Sequence, residues 1–101
     1  MSVGIRMGRK GPYATYRERH TASMELVFQA DRLLRKGDLD GATEKINAAT
    51  KAAPTDEERR GAITDHPIRT RVFFENPKNL RNRINDLNAS IRRARRYQSI
   101  G

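Results

Sequence analysis

The chain of 101 residues carries 21 Lys and Arg against 12 Asp and Glu, a formal charge of +9, and it has no cysteine. A chain of this length forms one small domain, which excludes an enzyme built from two lobes around a cleft. The absence of cysteine also excludes disulfides, thiolate nucleophiles and Cys-ligated metal ions.

Basic residues are concentrated at the two ends of the chain. Residues 1–20 hold five basic and one acidic residue, residues 21–68 seven basic and nine acidic, and residues 69–101 nine basic and two acidic. Segregated positive charge of this kind favours a polyanionic partner. The shifts in composition predict a flexible basic N-terminal arm (1–20), a helical hairpin with a short third helix (21–66), an extended linker (67–76) and a basic amphipathic C-terminal helix (77–101).

The N-terminal arm is predicted from its glycines and from the absence of hydrophobic periodicity. Its tyrosines stand among basic residues, which suits nucleic acid because guanidinium groups pair with phosphates while flat rings stack on bases. We therefore take Arg9, Lys10 and Tyr13 as candidate nucleic-acid-binding residues. The alternative is a solvated tail in which Tyr13 and Tyr16 only cover the first helix.

Two helices joined by a short connection follow the arm. The first is predicted to begin at Ser23 and to end at Lys36 and Gly37, a cation followed by a residue that tolerates positive φ. The second is capped by Asp40 and ends before Pro54. Their apolar positions are Leu26, Val27, Ala30, Leu33 and Leu34 in the first helix and Ala42, Ile46, Ala49 and Ala53 in the second. So short a connection makes the helices antiparallel, an αα-hairpin.

The segment from Leu26 to Pro54 resembles a single tetratricopeptide repeat. The residues that match the packing positions of the family are Leu26, Ala30, Leu33, Ala42, Ile46, Ala49 and the terminal Pro54. Leu26 stands where the family often has Trp, and Gln29 departs from the Leu that the family prefers. Tetratricopeptide domains stack three or more repeats into a groove that holds peptides, so a single copy implies the hairpin geometry more than peptide binding.

A third, short helix is predicted after the hairpin. Thr55 and Glu58 form a capping box that starts a helix from Asp56 to about Ile63. Pro67 then restricts the preceding residue to extended backbone, and residues 68–74 alternate apolar and basic side chains before ending in two aromatics. This pattern favours an extended linker.

The C-terminal helix begins at Asn76 and Pro77, an N-cap followed by proline at the first helical position. Its apolar seam consists of Leu80, Ile84, Leu87, Ile91 and Ala94. The seam is buried either against the hairpin of the same chain or against a second copy in a coiled-coil homodimer, and two and a half heptads favour the first. Leu80, Ile84, Leu87 and Ile91 are the candidate partner-interface residues.

Arginine dominates the exposed surface of this helix. Arg grips phosphate with a planar pair of hydrogen bonds, and 16 of the 21 basic residues are Arg. The candidate phosphate contacts are Arg81, Arg83, Arg92, Arg93, Arg95 and Arg96. The sequence thus predicts a small all-α protein that binds the backbone of RNA or DNA within a nucleoprotein complex. The alternative is a protein–protein adaptor or a structural subunit of a larger assembly, such as a virion or a multi-subunit machine.

Catalysis and membrane association find little support in the sequence. His20 and His66 are the only histidines, each beside a predicted helix boundary, and no His-x-x-x-His spacing occurs. We therefore expect no catalytic residue, no metal and no cofactor, and so a protein that is not an enzyme. No apolar run is long enough to span a membrane, which favours a cytoplasmic protein. A mitochondrial presequence is the alternative, but the glycines and Pro12 would interrupt its helix.

Overall fold

A computed structural model describes residues 11–74 and 76–100, and it confirms a small all-α bundle. The described residues form five helices and no strand: α1 (Pro12–Arg35), α2 (Leu39–Ala52), α3 (Asp56–Asp65), α4 (Pro67–Phe73) and α5 (Pro77–Ile100). Helices α1 and α2 form the predicted hairpin, on which α3 and α5 pack.

Helix α1 begins eleven residues before Ser23, so the prediction that residues 11–20 belong to a flexible arm is wrong. The residues that α1 buries are Tyr13, Tyr16, His20, Ser23, Val27 and Ala30. They recur at alternating steps of three and four, the period of one helix face. The first four are aromatic or polar, so an apolar pattern does not reveal them. Ser23 is not a cap: its hydroxyl is buried and donates to the carbonyl of Ala49, 2.8 Å away.

The turn between α1 and α2 is as predicted at Gly37, but the cap of α2 lies two residues before the predicted one. Gly37 has φ +86°, and the amides of Gly37 and Asp38 donate to the carbonyls of Leu34 and Leu33. This is a Schellman ending, which favours glycine at the left-handed position. Asp38 rather than Asp40 caps α2, because its side chain accepts from the amide of Gly41 at 2.9 Å.

The main core lies where α1, α2 and α5 meet. Its buried residues are Val27, Ala30, Ala42, Ile46, Ala49, Leu80, Ile84 and Ile91, with Leu87 partly buried beside them. The seam of α5 is therefore covered by the hairpin of the same chain, as the favoured alternative predicts. Leu80, Ile84 and Ile91 are therefore core residues of one chain with Leu87 packed beside them, which corrects the assignment of these four residues to a partner interface.

A second, aromatic core joins the start of α1 to the end of α4. Tyr13 and Tyr16 contact the ring of Phe74 edge-on, with ring centroids 5.9 and 6.0 Å apart, and His20 contacts the same ring at 5.4 Å. Edge-to-face contacts at these distances add to the free energy gained from burial. Residues predicted as an arm and residues predicted as a linker thus stabilise each other.

The predicted linker contains helix α4 instead of extended backbone. Pro67 occupies the first turn of α4, where its missing amide costs no hydrogen bond, so this proline begins a helix as well as ending the segment before it. The hydroxyl of Thr70 is buried and donates to the carbonyl of Ala62 at 3.0 Å. Helix α3 itself starts with the predicted capping box of Thr55 and Glu58.

Arg19 ties the first half of α1 to the end of α2. Its guanidinium donates to the carbonyls of Lys51, Ala52 and Ala53 at 3.1–3.2 Å and to the carboxylate of Glu58 at 3.4 Å. The last carbonyls of a helix have no partner within the helix, and a cation there complements the helix dipole. This arginine of the predicted arm is therefore a structural residue.

Candidate nucleic-acid interface

Helix α5 carries most of the predicted phosphate contacts, and ion pairs near its two ends join it to α3 and α2. The side chain of Asn76 accepts from the amide of Lys78 at 2.8 Å, which caps the first turn. Arg81 then pairs with Asp56 at the start of α3, and Arg95 pairs with Asp40 at the start of α2. Helix α5 therefore runs antiparallel to α2 and is about 36 Å long at 1.5 Å per residue.

The arginines of α5 fall into two groups, and the first group faces the rest of the chain. Arg81 lies 3.7 Å from the carboxylate of Asp56, and Arg95 donates to Asp40 at 3.0 Å and to the hydroxyl of Thr43 at 3.2 Å. Arg83 lines a hollow between α1 and α5 together with two carboxylates, those of Asp31 and Asp86. Carboxylates of the chain itself thus lie near each of these three arginines.

The second group consists of Arg92, Arg93 and Arg96, which make no ion pair with any carboxylate of the described residues. All three side chains are exposed, and Arg93 donates to the hydroxyl of Ser90 at 3.2 Å. These guanidiniums retain their charge and most of their donors for a partner outside the chain.

Tyr97 completes this surface, although it is not among the candidate residues predicted from the sequence. Its ring is 76% exposed, one residue after Arg96. At 100° per residue, Arg92, Arg96, Arg93 and Tyr97 lie in that order within a sector of roughly 140°. We call these four residues the arginine–tyrosine face. An aromatic residue among arginines is the signal that led to Tyr13, and it applies equally to Tyr97 in the run Arg-Arg-Tyr that ends at residue 97.

Tyr13 is buried and so is not available to stack on a base, which corrects its selection as a candidate residue. Its ring is buried, with the centroid 4.7 Å from that of His66 and with the guanidinium of Arg17 5.6 Å above it. A base cannot stack on a ring that is already covered. The other two candidates of the arm, Arg9 and Lys10, lie outside the described residues.

A polar groove lies between α2 and the first half of α5. Asn85 and Asn88 line it from α5, and Asn47 and Thr50 line it from α2. The groove has a volume of about 630 Å³, and Arg81 also lines it. Amide and hydroxyl side chains offer both donors and acceptors, so the groove is suited to uncharged polar groups next to the phosphate contacts.

The described residues include no group of three or more His, Cys, Asp or Glu side chains placed to hold a metal ion. None of the helices within residues 11–74 and 76–100 is both long and apolar enough to cross a membrane.

Comparisons with protein-family models, with curated proteins and with solved structures found no match to this chain. The likeness of Leu26 to Pro54 to a tetratricopeptide repeat stays a resemblance of the sequence pattern.

Proposed function

We propose that the protein binds the sugar–phosphate backbone of RNA or DNA through the arginine–tyrosine face, as a component or accessory factor of a nucleoprotein complex. The observation that carries the proposal is the set of three exposed arginines without a described carboxylate partner, clustered beside an exposed tyrosine. Three guanidiniums in one sector raise the local positive potential, and a phosphate relieves their mutual repulsion.

The paired arginines extend this surface towards the start of α5. The side chains of Arg81 and Asp56 are 50% and 59% exposed, and the side chain of Asp40, the partner of Arg95, is 93% exposed. Exposed ion pairs contribute about 1 kcal/mol or less, so a phosphate can replace the carboxylate at small cost. In the proposal Arg81, Arg83 and Arg95 therefore act as secondary contacts.

Tyr97 favours nucleic acid with unpaired bases. A base in a duplex is stacked on both faces, whereas a base in a single strand or a loop is free to stack on an exposed ring. The chain contains no cysteine, which agrees with a reducing compartment, and the proposal places the protein in the cytoplasm.

The test is a fluorescence anisotropy titration of duplex DNA, single-stranded DNA and structured RNA over a series of salt concentrations. We expect the logarithm of the association constant to fall linearly with the logarithm of the salt concentration. The triple variant Arg92→Gln/Arg93→Gln/Arg96→Gln should reduce the magnitude of this slope by about 2 to 3. Tyr97→Ala should weaken binding to the single strand and leave binding to the duplex unchanged.

A matched control removes three charges elsewhere on the molecule. Arg32, Lys36 and Lys45 line a hollow between α1 and α2 to which α5 contributes no lining residue. Arg32→Gln/Lys36→Gln/Lys45→Gln lowers the net charge equally and should change the slope far less. Equal losses in the two triple variants would mean that binding follows net charge only, and the proposed face would be wrong. No measurable binding at low salt would overturn the function itself.

A further inference from the structure

Helix α4 has its apolar and polar sides reversed relative to an ordinary surface helix. Its large apolar residues Ile68, Val72 and Phe73 are 78%, 67% and 70% exposed, and Thr70 is its only buried residue. A surface helix normally turns its apolar residues to the core and its polar residues to water. Here the hydroxyl of Thr70 and the ring of Phe74 hold the helix to α3 and α1, which directs the apolar residues outward.

Two of the exposed apolar residues of α4 form one surface. At 100° per residue, Ile68 and Val72 lie about 40° apart and directly opposite Thr70, while Phe73 lies about 100° from Val72 with Arg69 between them. A helix of seven residues is unstable in water without tertiary contacts. An exposed apolar cluster on a small protein marks a site that a partner covers.

Two arginines flank this apolar surface and indicate the charge of the partner. Arg69 and Arg71 are exposed on opposite sides of Ile68 and Val72, and neither makes an ion pair with a described carboxylate. A partner that covers the apolar residues would bring its own flanking side chains beside these guanidiniums. Acidic flanks would be attracted and basic flanks repelled.

The same charges argue against two other occupants. A second copy related by twofold symmetry would place Arg69 and Arg71 against their own equivalents. Residues 1–10 of this chain carry Arg6, Arg9 and Lys10 and no acid, so they would be repelled as well.

We propose that α4 is a docking surface for a protein partner, which presents an amphipathic helix with an apolar stripe flanked by Asp or Glu. The stripe covers Ile68 and Val72, and the acidic flanks pair with Arg69 and Arg71. This is the geometry in which one helix face recognises another through apolar anchors at helical spacing. The surface lies on a different helix from the arginine–tyrosine face, so the inference does not depend on nucleic-acid binding.

Two synthetic helical peptides test the proposal on the full chain. The first has Leu at i, i+3, i+4 and i+7 spacing with Glu on both flanks, and the second replaces every Glu with Lys. We expect the full chain to bind the Glu peptide more tightly by fluorescence anisotropy, with amide shifts of an isotope-labelled sample confined to residues 67–74. Ile68→Ser/Val72→Ser should weaken this binding at least about tenfold, because two apolar anchors are lost.

A charge reversal with a matched control separates docking from general attraction to a basic protein. Arg69→Glu/Arg71→Glu should reverse the preference from the Glu peptide to the Lys peptide. Arg92→Glu/Arg96→Glu changes the net charge equally and should keep the preference for the Glu peptide. If both variants lose the Glu peptide equally, or if the full chain does not prefer it, the proposal is wrong.

Two further outcomes would assign the surface to another occupant and overturn the proposal. Light scattering would show a dimer that Ile68→Ser/Val72→Ser converts to a monomer if a second copy covers α4. If residues 1–10 cover α4, the peptide would bind only after these residues are removed. Circular dichroism should show unchanged helicity in all these variants, since the substituted side chains are exposed.

Discussion

Replacing Arg19 with Met should destabilise the protein strongly, although this arginine lies in a segment that the sequence presents as a basic arm. The substitution retains most of the apolar stem and removes the guanidinium. Three carbonyls at the end of α2 then lose their donors, and Glu58 loses its ion pair.

The size of the effect follows from the exposure of these groups. The side chain of Arg19 is 39% exposed, so the released carbonyls regain water and each hydrogen bond contributes about 0.5–1 kcal/mol. The ion pair with Glu58 adds less than about 1 kcal/mol because both partners are partly solvated. We expect a loss of about 2 kcal/mol in the free energy of unfolding, or roughly 10 °C in Tm for a domain of this size.

Urea unfolding followed by circular dichroism measures this loss, and three further variants separate its causes. Arg17→Met removes an exposed arginine two residues away and should cost less than about 0.5 kcal/mol. Glu58→Gln keeps the capping box and removes only the charge, so it should also have a small effect. Arg19→Lys keeps the charge but lacks the planar fork, and it should recover less than half of the loss. A loss below about 0.5 kcal/mol for Arg19→Met, or an equal loss for Glu58→Gln, would refute the reasoning.

Four other substitutions test the fold. Ile84→Asp places a carboxylate in the core between α5 and the hairpin and should cost more than about 3 kcal/mol in urea unfolding, whereas an effect only on oligomeric state would contradict the described packing. Thr70→Val removes the buried hydrogen bond to the carbonyl of Ala62 and should lower the free energy of unfolding by about 1 kcal/mol. Hydrogen exchange should become faster in α4 alone, and an equal acceleration in all helices would argue against a separately anchored α4. Gly37→Ala should lower the free energy of unfolding by about 1 kcal/mol because this residue has a positive φ. Gly61→Ala inside α3 should raise it by a similar amount, and effects of the same sign would contradict the described backbone.

The contrast between Tyr13 and Tyr97 shows why the site was only partly predictable. Both residues stand near arginines in the sequence, and only packing decides which ring remains exposed. Tyr13 meets His66 and Phe74, partners more than fifty residues away, and these long-range contacts leave no trace in the local pattern. Tyr97 lies beyond Ile91 in α5 and about 100° around the helix from the middle of the seam, and its ring is 76% exposed.

The sequence by itself determined the local features of the fold. The glycine that ends α1, the capping box of α3, the proline start of α5 and the apolar seams of the hairpin are all visible, because each depends on residues within one or two helical turns. The uneven charge is also a property of the sequence, and the net charge of +9 already favours a polyanion.

The tertiary structure decided which of the residues that the sequence predicts to be exposed form contacts within the chain. Helix α1 begins at Pro12, and Arg19 donates hydrogen bonds to carbonyls at the end of α2. Arg81 and Arg95 pair with carboxylates of the same chain. In α4, the packing buries Thr70 and leaves Ile68, Val72 and Phe73 exposed. These outcomes depend on contacts between distant segments, whose free energies outweigh local preferences. The arginine–tyrosine face and the outer surface of α4 are two surfaces that this packing leaves exposed, and we propose both as binding surfaces.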